Sequence, residues 1–241
     1  MPEIRQLSNS DVLGRSVWVG NCVEEVFLGD IDPAEIAHAA SLWNHLQKDS
    51  YLSDGGSYRE RRYAELIYNL DTDTLSNTGN RDFYQSENYN TVNGGTRRFE
   101  LIEESFLSGR LLQTILRHFG RRFATALSVN RLELYLHQVR IIGRDGENGL
   151  PTPEGIHKDG VDYSCQVLFS RDNVSGGESI IYDNDKKPLV ATTMRDPLDF
   201  YCFRDPDIYH SVTPIVPVQS SRPANRDILG IEFCINREKA K

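Results

Sequence analysis

From about residue 130 onward the sequence is a run of short alternating segments, each closed by turn-forming residues. LELYLHQVRII, SCQVLFS, ESIIYD, LVATTM, LDFYCF and DILGIEFCIN are separated by GRDGENGLPTPEG, SGG, DNDKKP, RDP and QSSRPAN. Alternation sends successive side chains to opposite faces, and the Gly, Pro, Asn and Asp clusters reverse the chain between strands. Six or more short strands punctuated in this way favour a barrel or a two-sheet jelly roll.

The character changes near residue 125, and before it helical signals dominate. Asp32-Pro33 reads as an N-cap with proline in the first turn, followed by apolar Ile36, Ala39, Ala40, Leu42, Trp43 and Leu46. A second helix is expected from Ser108-Gly109-Arg110 into LLQTILRHFGRRFATAL, with Leu111, Leu112, Ile115, Leu116 and Phe119 on one face. Between them lie a short strand candidate, YAELIYNL, and a polar stretch, NTGNRDFYQSENYNTVNGG, that reads as an ordered loop. The expectation is a mainly β protein with N-terminal α elements: one domain over 1–241, its helix-rich part (about 1–125) packed on a jelly-roll core (about 126–237). No repeat or linker divides it, and only the terminal REKAK reads as a tail.

The chain has 241 residues and a net charge of −8, and this acidic balance argues against a nucleic-acid or anionic-membrane partner. No apolar run is long enough to span a bilayer, and MPEIRQLSNSDV does not read as a signal peptide, so the expected location is cytoplasmic. Cys22, Cys165, Cys202 and Cys234 form no CxxC pair and are expected to be buried, reduced thiols.

The segment EGIHKDG places His157 and Asp159 two positions apart, so both can emerge on one side of an extended strand end. An HxD pair alone is nearly uninformative, because six histidines in this composition give one by chance about half the time. The downstream residues are more specific. His210 is the one histidine C-terminal to HxD, 51 positions beyond Asp159 and just after the strand LDFYCF. Arg226 comes sixteen positions later and opens the last strand. Two histidines and a carboxylate can hold iron(II) on one face and leave open positions on the other. An arginine nearby can grip a carboxylate bidentately.

These pieces, with DFYQSENYN and the following GG (82–95), RFELIEESF (98–106), LHQVR (136–140), IHKDG (156–160), YHSVTPI (209–215) and RDIL (226–229), carry a resemblance. In that order they resemble the small Fe(II)/2-oxoglutarate dioxygenases that hydroxylate free aliphatic amino acids, the L-isoleucine 4-hydroxylase type. The resemblance covers residues 55 to 235 or so. It implies a double-stranded β-helix (jelly-roll, cupin-like) core flanked by helices. It also implies iron(II) on His157, Asp159 and His210, and 2-oxoglutarate on Arg226, with dioxygen as second cosubstrate.

A free amino acid also needs a cation for its carboxylate and an acceptor for its ammonium group. Arg59, Arg61, Arg62, Arg97 and Arg98 are candidates for the cation, and Tyr84, Gln85 and Ser86 for a lid. On LELYLHQVR, Gln138 and Arg140 are candidates for contact with substrate or cosubstrate, whereas His137 reads as a packed histidine. Desaturation or ring closure of an amino acid at the same site, oxidation of a protein side chain, and a cupin-like isomerase or noncatalytic metal protein remain open; the last would not require Arg226.

Overall fold

The expected strands form, and the chain winds them alternately into two facing sheets. The computed structural model describes residues 5–6, 12–13, 16–26, 31–90 and 92–236, so REKAK and most of MPEIRQLSNSDV lie outside it. In chain order, β1 (Arg5–Gln6), β2 (Val12–Leu13) and β3 (Val17–Asn21) lead into α1 (Cys22–Glu25) and α2 (Pro33–Ser41). A 3-10 turn, β4 (Gln47–Lys48), β5 (Arg59–Asn69) and β6 (Thr74–Asn77) follow. Next come the hairpin β7 (Asp82–Gln85) and β8 (Gly95–Arg98), then α3 (Glu104–Leu107) and α4 (Arg110–Leu127). The second half is β9 (Arg131–Gly143), β10 (Tyr163–Asp172), β11 (Val174–Gly176), β12 (Ser179–Tyr182) and β13 (Pro188–Thr192). It ends with β14 (Asp199–Arg204), β15 (Tyr209–Val212), β16 (Ile215–Pro217) and β17 (Ala224–Cys234).

The larger sheet runs β2-β3-β14-β10-β17-β9-β5-β4 with β6 beside β5, and the smaller runs β1-β13-β12-β15. β10, β14 and β17 belong to the first, whereas β12, β13 and β15 belong to the second. The chain therefore crosses from sheet to sheet as it advances, which is the double-stranded β-helix. The part before residue 126 contributes more strand than expected: β3 and β5 extend the large sheet, and the expected loop carries the β7–β8 hairpin. β5 also starts earlier than YAELIYNL, at Arg59, which places three of the candidate arginines on a strand.

Helix α4 is held by its apolar stripe. Leu111, Leu112, Ile115, Leu116, Phe119 and Phe123 are buried against Leu132, Leu134 and Leu136 of β9, Val167 and Phe169 of β10, and Leu229, Ile231 and Phe233 of β17. Each such side chain contributes about 1.5–3 kcal/mol on burial. Gly109 cannot cap α4 with a side chain, and Glu35 of α2 does so instead, accepting the Leu111 N–H at 2.8 Å. Between the sheets a smaller cluster, including Leu168, Ile181, Val190, Phe203 and Ile228, closes one end of the sandwich.

The cysteine expectation needs correction. Cys165 of β10 and Cys202 of β14 stand in register, with Cα atoms 4.0 Å apart, and are joined as a disulfide. Their separation of 37 positions hides this, because strand register is not visible in spacing. Cys22 and Cys234 are both buried, as expected. Among the described residues no helix is long and apolar enough to cross a membrane.

Candidate active site

His157 and Asp159 lie in the segment between β9 and β10, and His210 on β15. A reciprocal backbone pair fixes the two histidines: the His157 N–H donates to the His210 carbonyl at 3.0 Å, and the His210 N–H donates back at 2.9 Å. The turn after His157 is held from below by Asp205. Its carboxylate accepts the N–H groups of Asp159 and Gly160, each at 2.8 Å, and of Val161 at 3.3 Å. Asp205 follows β14 directly, so one stretch of chain supplies both this anchor and His210.

The ligand atoms of His157, Asp159 and His210 all lie within 4.8 Å of one another. Asp159 Oδ1 is 3.4 Å from His157 Nε2 and 3.8 Å from His210 Nε2. His157 Nδ1 lies 2.9 Å from the Gly155 carbonyl, and donation there leaves Nε2 to face Asp159. Burial opposes charge on His157, but its hydrogen bond to Asp159 and the Glu154 carboxylate carry it up to about 9. Burial and the His157 charge push His210 down to about 3. Although burial disfavours its charge, Asp159 is held well below the usual carboxylate range by His210 and His157. The three converging atoms thus form a concentrated seat for positive charge. Two imidazoles and one carboxylate on one face fit iron(II).

The inner face of the large sheet lines the rest of the cavity. On β17, Arg226, Ile228 and Gly230 face inward; on β9, His137, Val139 and Ile141; on β5, Arg59 and Arg61. Gly230 lies in a central strand, where glycine forfeits packing. A Cβ there would stand 3.2 Å from the Gln166 amide, so the missing side chain keeps the cavity floor low. Arg226 is only 4% exposed and pairs with no carboxylate among the described residues. Its neighbour Asp227 is paired with Arg140. Burial lowers Arg226 to about 10, which leaves it charged at neutral pH. A buried guanidinium without a carboxylate partner is costly unless an anion joins it.

The β7–β8 hairpin covers the opposite side. Phe83, Gln85 and Arg97 point into the cavity. Gln85 accepts from Arg97 at 2.9 Å and donates to the Asp159 carbonyl at 3.1 Å, linking this cover to the metal seat. Arg59 binds Asp49 at 2.7 Å, and Arg61 lies against His137, which reaches Glu232 at 3.3 Å.

Several expected substrate residues fall elsewhere, and alternation explains each case. Tyr84 and Arg98 point away from the face that carries Phe83, Gln85 and Arg97, and Arg98 pairs with Asp82 at 3.0 Å in solvent. Gln138 and Arg140 share the outer face of β9 with Leu136, not the cavity face with His137. Arg140 instead makes a bidentate pair with Asp227 at 2.7 and 2.8 Å. His137 lines the cavity rather than packing away from it. Arg62 donates to the Leu101 carbonyl outside the cavity. Glu154, Asp49, Asp205 and Glu232 were missed. Glu154 alone had a visible signal, three positions before His157 in EGIHKDG.

Fold and metal seat together define a non-haem iron dioxygenase, and the comparisons agree. A profile of the 2OG-Fe dioxygenases matches residues 40–232, and the chain belongs to that family. Iron(II) and 2-oxoglutarate are therefore its metal and cosubstrate. It is 29% identical over 222 residues to the L-isoleucine-4-hydroxylase of Bacillus thuringiensis, covering 89% of this chain and 90% of that one. It is 28% identical over 163 residues to a 3(1)-hydroxy-L-isoleucine 4-dioxygenase of Pantoea ananatis, covering 65% of each. The crystal structure of a bsmA homolog from Methylobium petroleophilum PM1 superposes with a TM-score of 0.85 at 28% identity, covering 94% of this chain and 91% of that one.

Proposed function

We propose that the protein hydroxylates an unactivated C–H of a free aliphatic L-amino acid, with succinate and carbon dioxide as coproducts. In this reading His157, Asp159 and His210 hold iron(II), and Arg226 grips the distal carboxylate of 2-oxoglutarate. The observation that carries it is a cavity with two distinct cationic subsites beside one metal seat. Arg226 stands on β17, whereas Arg61 on β5 and Arg97 on the hairpin feel each other's charge. One anion-binding group suits the cosubstrate, and the other suits the carboxylate of a second small molecule. The two relatives that act on isoleucine and on a hydroxyisoleucine support the substrate class. A cytoplasmic location is part of this reading, because 2-oxoglutarate is a central metabolite.

Iron(II) with dioxygen and 2-oxoglutarate supplies the power to oxidise an aliphatic C–H. The chain's own residues do the rest. Asp205 keeps the HxD turn rigid, so the ligand set is preorganised. Arg226 would hold a carboxylate of the cosubstrate through its guanidinium N–H groups. Val139, Ile141, Val212 and Ile228 form an apolar wall that accepts an aliphatic side chain and sheds water from it. Orientation of one C–H toward the metal then selects the carbon that reacts.

The test is incubation of iron-loaded protein and 2-oxoglutarate in air with each free amino acid, reading succinate and product mass. Substrate-dependent succinate with a product heavier by one oxygen is the expected result. A product lighter by two hydrogens would replace hydroxylation by desaturation or ring closure. No turnover of any free amino acid by protein that binds both iron and 2-oxoglutarate would overturn the substrate class.

A further inference from the structure

Among the charged cavity side chains outside the metal seat and Arg226, Glu154 and Arg97 carry opposite charge. Glu154 precedes the HxD turn, with its side chain 11% exposed. Its Oε1 lies 3.2 Å from His157 Nε2, while its Oε2 is buried with no hydrogen-bond partner. Arg97 is 4% exposed. It lies over the Phe83 ring, with the guanidinium carbon 4.9 Å from the centroid, and gives one N–H to Gln85. Its Nε is buried and has no partner. Among the described residues no carboxylate lies within ion-pair distance of Arg97, whereas Arg59 and Arg61 share Asp49. Glu154 and Arg97 feel each other's charge without touching, and both face the same space.

Resting on the proposed function above, we infer that Glu154 and Arg97 form a clamp for the α-amino acid zwitterion. Glu154 accepts from the ammonium group, and Arg97 donates to the carboxylate. A buried carboxylate oxygen and a buried guanidinium N–H, both unsatisfied, are costly when the cavity lacks a partner. An amino acid supplies both missing charges at once and cancels both costs. The clamp makes the ammonium group a condition of binding, so carboxylic acids of the same carbon skeleton are rejected. Rejection of this kind is strong, because the analogue leaves a buried charge unpaired. Gln85 extends the consequence to the metal. It holds Arg97 on one side and the Asp159 carbonyl on the other, so seating the carboxylate also tightens the hairpin over the ligand turn.

The experiment measures affinity for an aliphatic L-amino acid and for its des-amino analogue, by anaerobic titration into protein carrying iron(II) and 2-oxoglutarate. The wild type is expected to favour the amino acid by at least about 30-fold. Glu154→Gln should abolish most of that preference, and Glu154→Asp should restore part of it. Arg97→Gln should weaken the amino acid by a similar factor and remove its preference over the corresponding amine. Glu154 touches His157, so a purely structural role there would weaken iron and both ligands alike. An unchanged ratio between amino acid and des-amino analogue would overturn the clamp. Should Glu154→Gln fail to bind iron, Arg97→Gln, which touches no ligand side chain, decides the matter by its own ratio. Wild-type protein that binds 2-oxoglutarate but neither ligand would overturn the substrate reading itself, whatever the variants do.

Discussion

The two faces of one strand, β9, are built to opposite rules. Its outer face gives Leu132, Leu134 and Leu136 to α4, and all three are fully buried. Its inner face gives His137, Val139 and Ile141 to the cavity, with Tyr135 and Glu133 beyond them. The outer face follows the hydrophobic effect and makes stability. With its neighbours β5 and β17, this inner face buries Arg61, Arg226, His137 and Glu232 at a cost that a bound ligand offsets. Damage on the outer face should therefore appear mainly in stability, and damage on the inner face mainly in turnover.

The largest effect should come at the metal seat. Asp159→Ala should lower iron affinity and turnover by more than about 100-fold, beyond the loss typical of residues that only support a ligand. Calorimetric unfolding should still show one cooperative transition near the wild-type temperature. Removal of iron with a chelator should abolish succinate formation in the same way. Arg226→Gln comes next. It should raise the KM for 2-oxoglutarate by about 30-fold or more and leave iron binding in place, measured by titration at saturating metal.

The outer face gives the converse. Phe123 stacks on Tyr163 at 4.3 Å and meets Phe233 edge-on at 4.9 Å. Phe123→Ala should cost about 3–5 kcal/mol in denaturant unfolding, while the folded fraction keeps its KM values. Arg140 tests whether position or residue type decides role. An arginine in the cavity would serve ligands, but Arg140 is on the outer face and neutralises Asp227, whose carboxyl burial pushes up. Arg140→Ala should destabilise the fold by about 3 kcal/mol and leave both KM values unchanged. A change in substrate KM without loss of stability would put Arg140 in the cavity after all.

The same contrast explains what was legible in the sequence. Strands and the α4 stripe could be read because apolar periodicity is strong over long windows. The metal seat could be read because HxD is followed by a single downstream histidine, His210, just after a strand. Tyr84, Arg98, Gln138 and Arg140 each stand one position of strand parity away from the cavity face, since a shift of one residue exchanges the faces. Neighbouring Gln85, Arg97 and His137 were the cavity residues. Glu154, Asp49 and Asp205 lie in turns without periodicity, and only the folded chain brings them under the site. Cys165 and Cys202 depend on register between β10 and β14, which no local pattern encodes.

The smallest effect belongs to a titrating group on the helix side, far from the metal seat. His118 of α4 is half-buried against Phe119, and burial together with the neighbouring Arg122 lowers its pKa below the ordinary 6.5, with Glu25 opposing weakly. The unfolded chain takes up a proton at His118 as pH falls through 6.5, whereas the folded chain resists until its own lower value. In that window the unfolded state binds more protons, so stability rises with pH and is lost on acidification. His118→Gln should therefore reduce the drop in Tm between about pH 7 and about pH 5, with turnover at pH 7 unaltered. The difference between the wild-type and variant curves isolates His118. Superimposable curves would mean that α4 bears no proton-linked strain, and a shift in turnover with Tm constant would join this face to the cavity it is meant to oppose.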